Sequence, residues 1–399
     1  MIDNKLTYIT LFSSAGVGCF GFKKQGYERI ATNELLDKRL NIQRINNKCK
    51  YQSGYLLGDI KENYDNLYNE IQRWHLLGND VVDVIIATPP CQGMSVANHK
   101  KNNNDINRNS LIVESIKLIN NIQPNFFIFE NVASFWKTGC LYNKKIVTIS
   151  EAIKESLGKD YEYQHKIINF KNYGSNSSRT RTLVIGVHKK LTDKIDVEKI
   201  FPKYQGEKTL YQVIGDMKSL KWGEYDNEDF FHSFRTYKHH MQSWIQNIKP
   251  GQSAFDNLED INKPHKIING KIIINKNKNG DKYKRQNFDK VAPCIHTRND
   301  QLASQNTIHP NQNRVFSIRE LMKMMTIPND FKWTNIPLSQ LNKLSYDEKV
   351  AFSKKNEMNI RHCIGESVPT VIFEQIAKNI KKEFFWWRKV WINNKLNKL

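Results

Sequence analysis

Paired cysteines and metal-ligand clusters are missing from this 399-residue chain. Its six cysteines (Cys19, Cys49, Cys91, Cys140, Cys294 and Cys363) stand far apart, with no Cys-x-x-Cys pair and no Cys/His group at zinc-ligand spacing. A disulfide framework and a structural zinc site are therefore not expected. A reducing, cytoplasmic compartment is, and there a free thiol can do chemistry. Nowhere does the chain reach the roughly 18 consecutive apolar residues of a membrane helix, so a membrane is not an expected partner. Residues 6–22 carry no charge, but Asp3 offsets Lys5 and Gly16, Gly18 and Gly21 interrupt the run, which argues against a secretory leader. Repeats of solenoid period are absent as well. The other shortage is of acid: 40 Asp+Glu against 61 Lys+Arg leave a net charge of +21. A polyanion, nucleic acid before anionic lipid, is the partner this balance favours. What is present is globular. The chain is 39% hydrophobic and 11% aromatic, and its length suits two domains at roughly 150 residues each.

The first 190 residues alternate short apolar runs with helix-compatible stretches, the pattern of a parallel sheet covered on both faces. Strands are predicted at Leu6 to Phe12, Tyr27 to Thr32, Val81 to Ala87, Asn125 to Phe129, Tyr163 to Asn169 and Arg181 to His188. Helices are predicted at Ser110 to Ile119 and, more weakly patterned, Glu151 to Leu157. Beyond about 190 the rhythm is lost. Residues 263–299 hold ten Lys/Arg and two Asp/Glu, a net of +8, around short isoleucine runs. Residues 200–315 read as a second, smaller, irregular and β-containing domain, followed by helices over 317–325, 339–356 and 367–392. The last carries Trp386, Trp387 and Trp391 among basic residues, suited to packing on the first domain or to a partner surface.

Ligands of such sheets bind at the carboxyl ends of strands, and four constellations fall there. Phe12-Ser-Ser-Ala15-Gly16-Val-Gly18 follows the first strand, where glycine lets the backbone turn tightly and come close to a ligand. The same residues could form only a turn. Glu34 ends the second strand and Asp59 follows a short apolar run, so both carboxylates can face a crevice; the plainer reading is a solvated acid. Thr88-Pro89-Pro90-Cys91-Gln92-Gly93 closes the most apolar run, with two prolines fixing the backbone just before a thiol. Glu130, in Phe129-Glu130-Asn131-Val132, sits among apolar neighbours, which favours retention of its proton, as a general acid requires; a capping role is the alternative. Alternation along the last strand puts Arg179 and Arg181 on one face, able to hold an oxygen or the nearby acids.

In order, these motifs, closed by Gly365-Glu366-Ser367-Val368-Pro369, resemble the DNA (cytosine-5) methyltransferases over residues 8–377. The resemblance implies a Rossmann-like sheet that binds S-adenosyl-L-methionine, leaves S-adenosyl-L-homocysteine and needs no metal. It also implies a cytosine flipped from double-stranded DNA. Cys91 would attack C6, Glu130 would bond the N3 and N4 edge, and Arg181 with Arg179 would hold the O2 edge. Phe12 would face the adenine, Glu34 the ribose and Asp59 the adenine amino group. Ala15, Gly16, Gly18, Ile60, Pro90, Ser367 and Val368 would complete the cofactor pocket. The implied domains are 1–190 with 361–392 as the catalytic part, 200–315 for target recognition and 316–360 as hinge and connecting helices. The implied protein works as a monomer, marks one short sequence and has a companion restriction endonuclease as a possible partner. An RNA cytosine methylase is the alternative enzyme, and a silent DNA-binding protein the alternative of another class. Three departures stand out: Thr10 where the family usually has Asp, Ser177 where it has Gln, and Glu366 where Asn is common.

Overall fold

The computed structural model describes residues 5–79, 81–90, 110–276 and 280–396. The chain forms two compact units, one of Met1–Tyr173, Thr180–Gln205 and Val368–Leu399, the other of Gly174–Arg179 and Gly206–Ser367.

The first unit is built on a sheet of seven strands. These are β1 (Thr7–Leu11), β2 (Glu28–Glu34), β3 (Tyr55–Leu57), β4 (Val84–Ala87) and β5 (Phe126–Asn131), with β8 (Tyr161–Asn169) and β9 (Thr180–His188) completing it; a hairpin of β6 (Gly139–Tyr142) and β7 (Lys145–Thr148) stands apart. The order is β3-β2-β1-β4-β5-β9-β8. Period-two alternation explains why the central strands read as unbroken apolar runs. Ile9, Leu11, Ile85, Ala87, Phe127 and Phe129 face one core, with Leu67, Ile71, Trp74, Ile112 and Ile116 from the covering helices. Tyr8, Val84, Ile86, Phe126 and Ile128 face the other, which Phe22, Ile372, Phe373, Ile376 and Ile380 close. Each such aromatic or aliphatic side chain contributes roughly 1.5–3 kcal/mol on burial, so the strands are fixed from both sides.

The sheet is not wholly parallel, as the apolar rhythm suggested. Strand β9 runs antiparallel to β5, and β8 antiparallel to β9. A strand buried on both faces has the same apolar run in either direction, so direction was not legible. The six predicted strands all form, with ends moved by up to three residues, and β3 is added. The helix Thr370–Leu396 returns to cover the second face beside the helix Phe20–Lys24. Gly21 permits that approach: a Cβ there would stand 2.3 Å from the backbone nitrogen of Glu374.

In the second unit, regular structure is sparse and an apolar cluster of Leu220, Phe234, Trp244, Ile245, Tyr283, Leu302 and Val315 forms the core. Arg285 knits the loops around it. It donates from Nε to Ile248 O (2.8 Å), from Nη1 to His309 O and Gln312 O (both 2.9 Å), and from Nη2 to Ile245 O and Asn313 Oδ1 (both 2.6 Å). A hairpin of β10 (His265–Ile268) and β11 (Lys271–Ile274) leaves Ile267, Ile268, Ile272 and Ile273 exposed beside Lys266 and Lys271. Residues 316–360, expected as a hinge, belong to this unit, as do 361–367, expected with the catalytic part. Buried ties account for this: Arg314 forks onto Glu320 at 2.6 and 2.8 Å, and Arg361 donates to Phe316 O and to Asn299 Oδ1. The single helix expected over 339–356 is two, Leu338–Lys343 and Tyr346–Glu366, because Ser345 and Glu348 form a capping box that starts the second.

Among the described residues no helix is long and apolar enough to cross a membrane, and no three His, Cys, Asp or Glu side chains gather as a metal site.

Candidate active site

Strand order in the parallel part of the sheet reverses between β1 and β4, and a crevice opens at the carboxyl ends of strands at such a point. The glycine-rich turn leaves β1 there, and the Pro-Pro segment leaves β4. The two are tied together: Thr88 donates from its nitrogen to Leu11 O at 3.2 Å and from Oγ1 to Phe12 O at 3.0 Å.

The turn itself is strained and held. Phe12 (φ 59°) and Ser14 (φ 49°) lie in the left-handed region, as does Gly16 (φ 72°); for a residue with a side chain this costs on the order of 1–3 kcal/mol unless its surroundings over-determine it. They do so here. Phe12 donates to Asn33 O at 3.1 Å, and Ser14 N to Glu34 Oε2 at 2.8 Å. Ala15 is buried, and a Cβ on Gly18 would come within 3.0 Å of Val368 Cβ and 3.1 Å of the Phe373 ring. Val368 therefore stands beside the turn. Ser367 falls in the second unit, where its hydroxyl donates to Ile364 O at 2.8 Å.

Glu34 ends β2 and is buried, accepting from Ser14 N and, at 3.1 Å, from Leu36 N. Arg39 Nη1 also approaches its Oε1, at 3.9 Å. Asp59 is half-buried just past β3, with Oδ1 accepting from Lys61 N at 3.0 Å and Ile60 buried behind it. Asn33 joins the two strand ends through Leu56 O and Gly58 O, at 3.2 and 3.0 Å. A glycine turn on one strand end and carboxylates on the next two form a donor-seeking set, and its chemistry fits a nucleoside bearing hydroxyl and amino groups.

Across the switch point Pro89 is buried and Pro90 exposed, and Asn131 donates to Pro89 O at 2.9 Å while its Oδ1 accepts from Val132 N. Cys91, the expected nucleophile, lies outside the described residues. Glu130, 7% exposed on β5, is paired with Arg181 of β9, Nε to Oε1 3.4 Å. Arg181 also donates to Thr180 O. The expectation that Arg179 shares its face on one strand does not hold. Strand β9 begins at Thr180, and Arg179 lies in the second unit, where Nη1 donates to Ile295 O at 3.0 Å and Gly365 O at 3.2 Å.

Sequence reasoning missed Thr88, Asn33 and Gln43, polar residues that hold the turn, and gave Asn131 no role beyond the alternative of a cap. Thr88 and Asn131 carried a signal, since each stands at the mouth of an apolar run; Gln43 carried none, being one polar residue in a polar helix.

The family of C-5 cytosine-specific DNA methylases matches residues 6–382. Among relatives, the Type II methyltransferase M1.HgaI of Avibacterium volantium is 29% identical over 387 residues, covering 94% of this chain and 98% of that one. M1.HphI of Haemophilus parahaemolyticus is 26% identical, covering 94% and 87%. The fold is shared with a prophage-encoded chain of E. coli (TM-score 0.65, 18% identity, 95% and 99% covered) and with a DNMT2 variant of Spodoptera frugiperda (TM-score 0.55, 14% identity, 94% and 99% covered). A strand-end site of this kind, on this sheet, in a chain matched over nearly its whole length, belongs to the C-5 cytosine-specific DNA methylases, and the protein is a member of that family.

Proposed function

We propose that this methylase acts on one cytosine in a specific short sequence of double-stranded DNA, swung out of the helix, with S-adenosyl-L-methionine as cofactor and S-adenosyl-L-homocysteine as product. The relatives' names support a place in a restriction-modification system, opposite an endonuclease that cuts the same site. It works as a monomer in the cytoplasm, where the DNA lies. The observation that carries the chemistry is the pairing of buried Glu130 with Arg181, one strand away from the β4 exit that leads to Cys91.

Adding a thiolate to C6 pushes electrons onto N3, so a group must meet that charge. Glu130 does so, donating at the N3 and N4 edge, while Arg181 orients the O2 edge and fixes the carboxyl. Asn131 holds Pro89 O, two residues before Cys91 in the chain. Arg179 serves by holding the 295 and 365 segments of its own unit. Glu34 receives the ribose hydroxyls, Asp59 the adenine amino group, and Phe12, Ala15, Gly16, Gly18, Ile60, Pro90 and Val368 enclose the cofactor. When bound, S-adenosylmethionine supplies the electrophilic methyl group. Loss of the C5 proton then expels Cys91 as a thiolate and restores the aromatic ring. The second unit, with its exposed basic hairpin, supplies target recognition and most phosphate contacts.

Bisulfite sequencing of a plasmid from cells expressing the chain tests this. Protected cytosines in one recurring context are expected; uniform conversion with methylated RNA instead would transfer the same chemistry to RNA.

A further inference from the structure

Gln43, on the helix Asp37–Ile45, is fully buried, and its amide reaches in two directions. Nε2 donates to Ser13 Oγ at 3.0 Å and to Ser14 O at 2.7 Å, both in the glycine-rich turn. Oε1 accepts from Arg29 Nη1 at 2.6 Å and from Thr32 Oγ1 at 3.0 Å. The Thr32 hydroxyl lies 2.8 Å from both Ser13 Oγ and Thr10 Oγ1, so Thr10, which departs from the family's Asp, joins the same network. Arg29 is buried with its guanidinium over the Tyr8 ring, 4.8 Å from the centroid, and no carboxylate among the described residues pairs with it.

The amide can point only one way. Arginine donates and never accepts, so Arg29 holds Oε1 toward itself and thereby turns Nε2 toward the turn. There the left-handed Ser14 is fixed at both ends, by Glu34 on its nitrogen and Gln43 on its oxygen. Gly16 fits the same arrangement, since a Cβ there would stand 3.0 Å from Gln43 Oε1.

We propose that Gln43 is a positioning residue for the cofactor turn: Arg29 sets the direction of its amide, and the amide nitrogen holds Ser13 and Ser14 in the shape that receives S-adenosylmethionine. This rests on the reading of the turn as the cofactor site. The Gln43→Glu variant separates the two halves of the network. Its carboxylate keeps the acceptor for Arg29 and Thr32, adding an ion pair, but loses both donors and repels the Ser14 carbonyl. Calorimetry on the full chain should show S-adenosylhomocysteine binding roughly tenfold weaker, about the worth of one or two net hydrogen bonds. Cofactor KM should rise in parallel while kcat at saturation, melting temperature and cofactor-free DNA binding stay near wild type. An unchanged affinity in a folded variant overturns the proposal. If Gln43→Glu does not fold, Ser13→Ala, at a partly exposed position, removes one of the same bonds and should weaken binding roughly threefold; no change there overturns it too. Wild-type protein that binds no S-adenosylhomocysteine would overturn the cofactor reading itself and the proposal with it, whereas normal wild-type binding with unaltered variants would overturn the proposal alone.

Discussion

Burial separates the thiols of this protein by reactivity. Loss of solvation pushes Cys49 up to about 12 and Cys140 to about 11, and Cys19 upward as well. These three should resist iodoacetamide at pH ~7.5 in the native protein, as mass spectrometry can read, while alkylation of Cys91 should track loss of turnover. Cys91→Ser is expected to abolish turnover and leave DNA binding within about twofold. Glu130→Gln keeps shape but cannot release or take up the proton, so kcat should drop by about 10²–10⁴-fold in single-turnover assays. At this scale the sequence was informative where an acidic residue interrupts an apolar run: Glu34, Asp59 and Glu130 all stand at or just past strand ends. It was silent where a side chain reaches across elements. Gln43 looks like any solvated helix residue, and its worth comes from Arg29 and Ser14, which no local pattern brings together. Arg179 shows the reverse error, because spacing along a strand says nothing once the strand begins one residue later.

Among the elements, the seam between the helices Phe20–Lys24 and Thr370–Leu396 is the tightest test of the packing. The atoms facing Gly21 are backbone, 2.3 and 2.8 Å from where a methyl group would stand, and cannot rotate away. Gly21→Ala should therefore cost about 1–3 kcal/mol in urea unfolding and loosen cofactor binding with it, since Thr370 Oγ1 also holds Val17 O at 3.2 Å. Strands were the most legible elements, since burial on both faces writes an apolar run. The helix Tyr64–Leu76 went unread although Leu67, Ile71 and Trp74 form a buried stripe at i, i+4 and i+7. The break before Ser345 was written in the sequence as Ser-x-x-Glu, a signature that a count of polar residues passes over.

Taken whole, the molecule carries +21, and its affinity for DNA should fall steeply with salt. Lys266 and Lys271 are exposed on the β10–β11 hairpin. If they meet phosphates, replacing both by Gln should reduce the slope of log K against log salt by about 2, at roughly 0.9 per contact; an unchanged slope would make the hairpin mere solvated surface. Arg285 belongs to another category despite lying in the same basic stretch. Arg285→Met strands five acceptors, so limited proteolysis should find the second unit opened while the first still binds S-adenosylhomocysteine. Charge counting could not tell a scaffold arginine from a surface one, and the unit boundaries were equally hidden, since nothing in composition marks Gly174 or Ser367.

The path of the chain has a consequence for biosynthesis. One flank of the sheet is sealed by residues beyond 367, after the whole second unit has been made. Until they emerge from the ribosome, Tyr8, Ile86 and Phe126 have only the part of their cover that Phe22 and residues such as Val197 and Ile200 provide, so the nascent protein presents a half-covered greasy flank to chaperones.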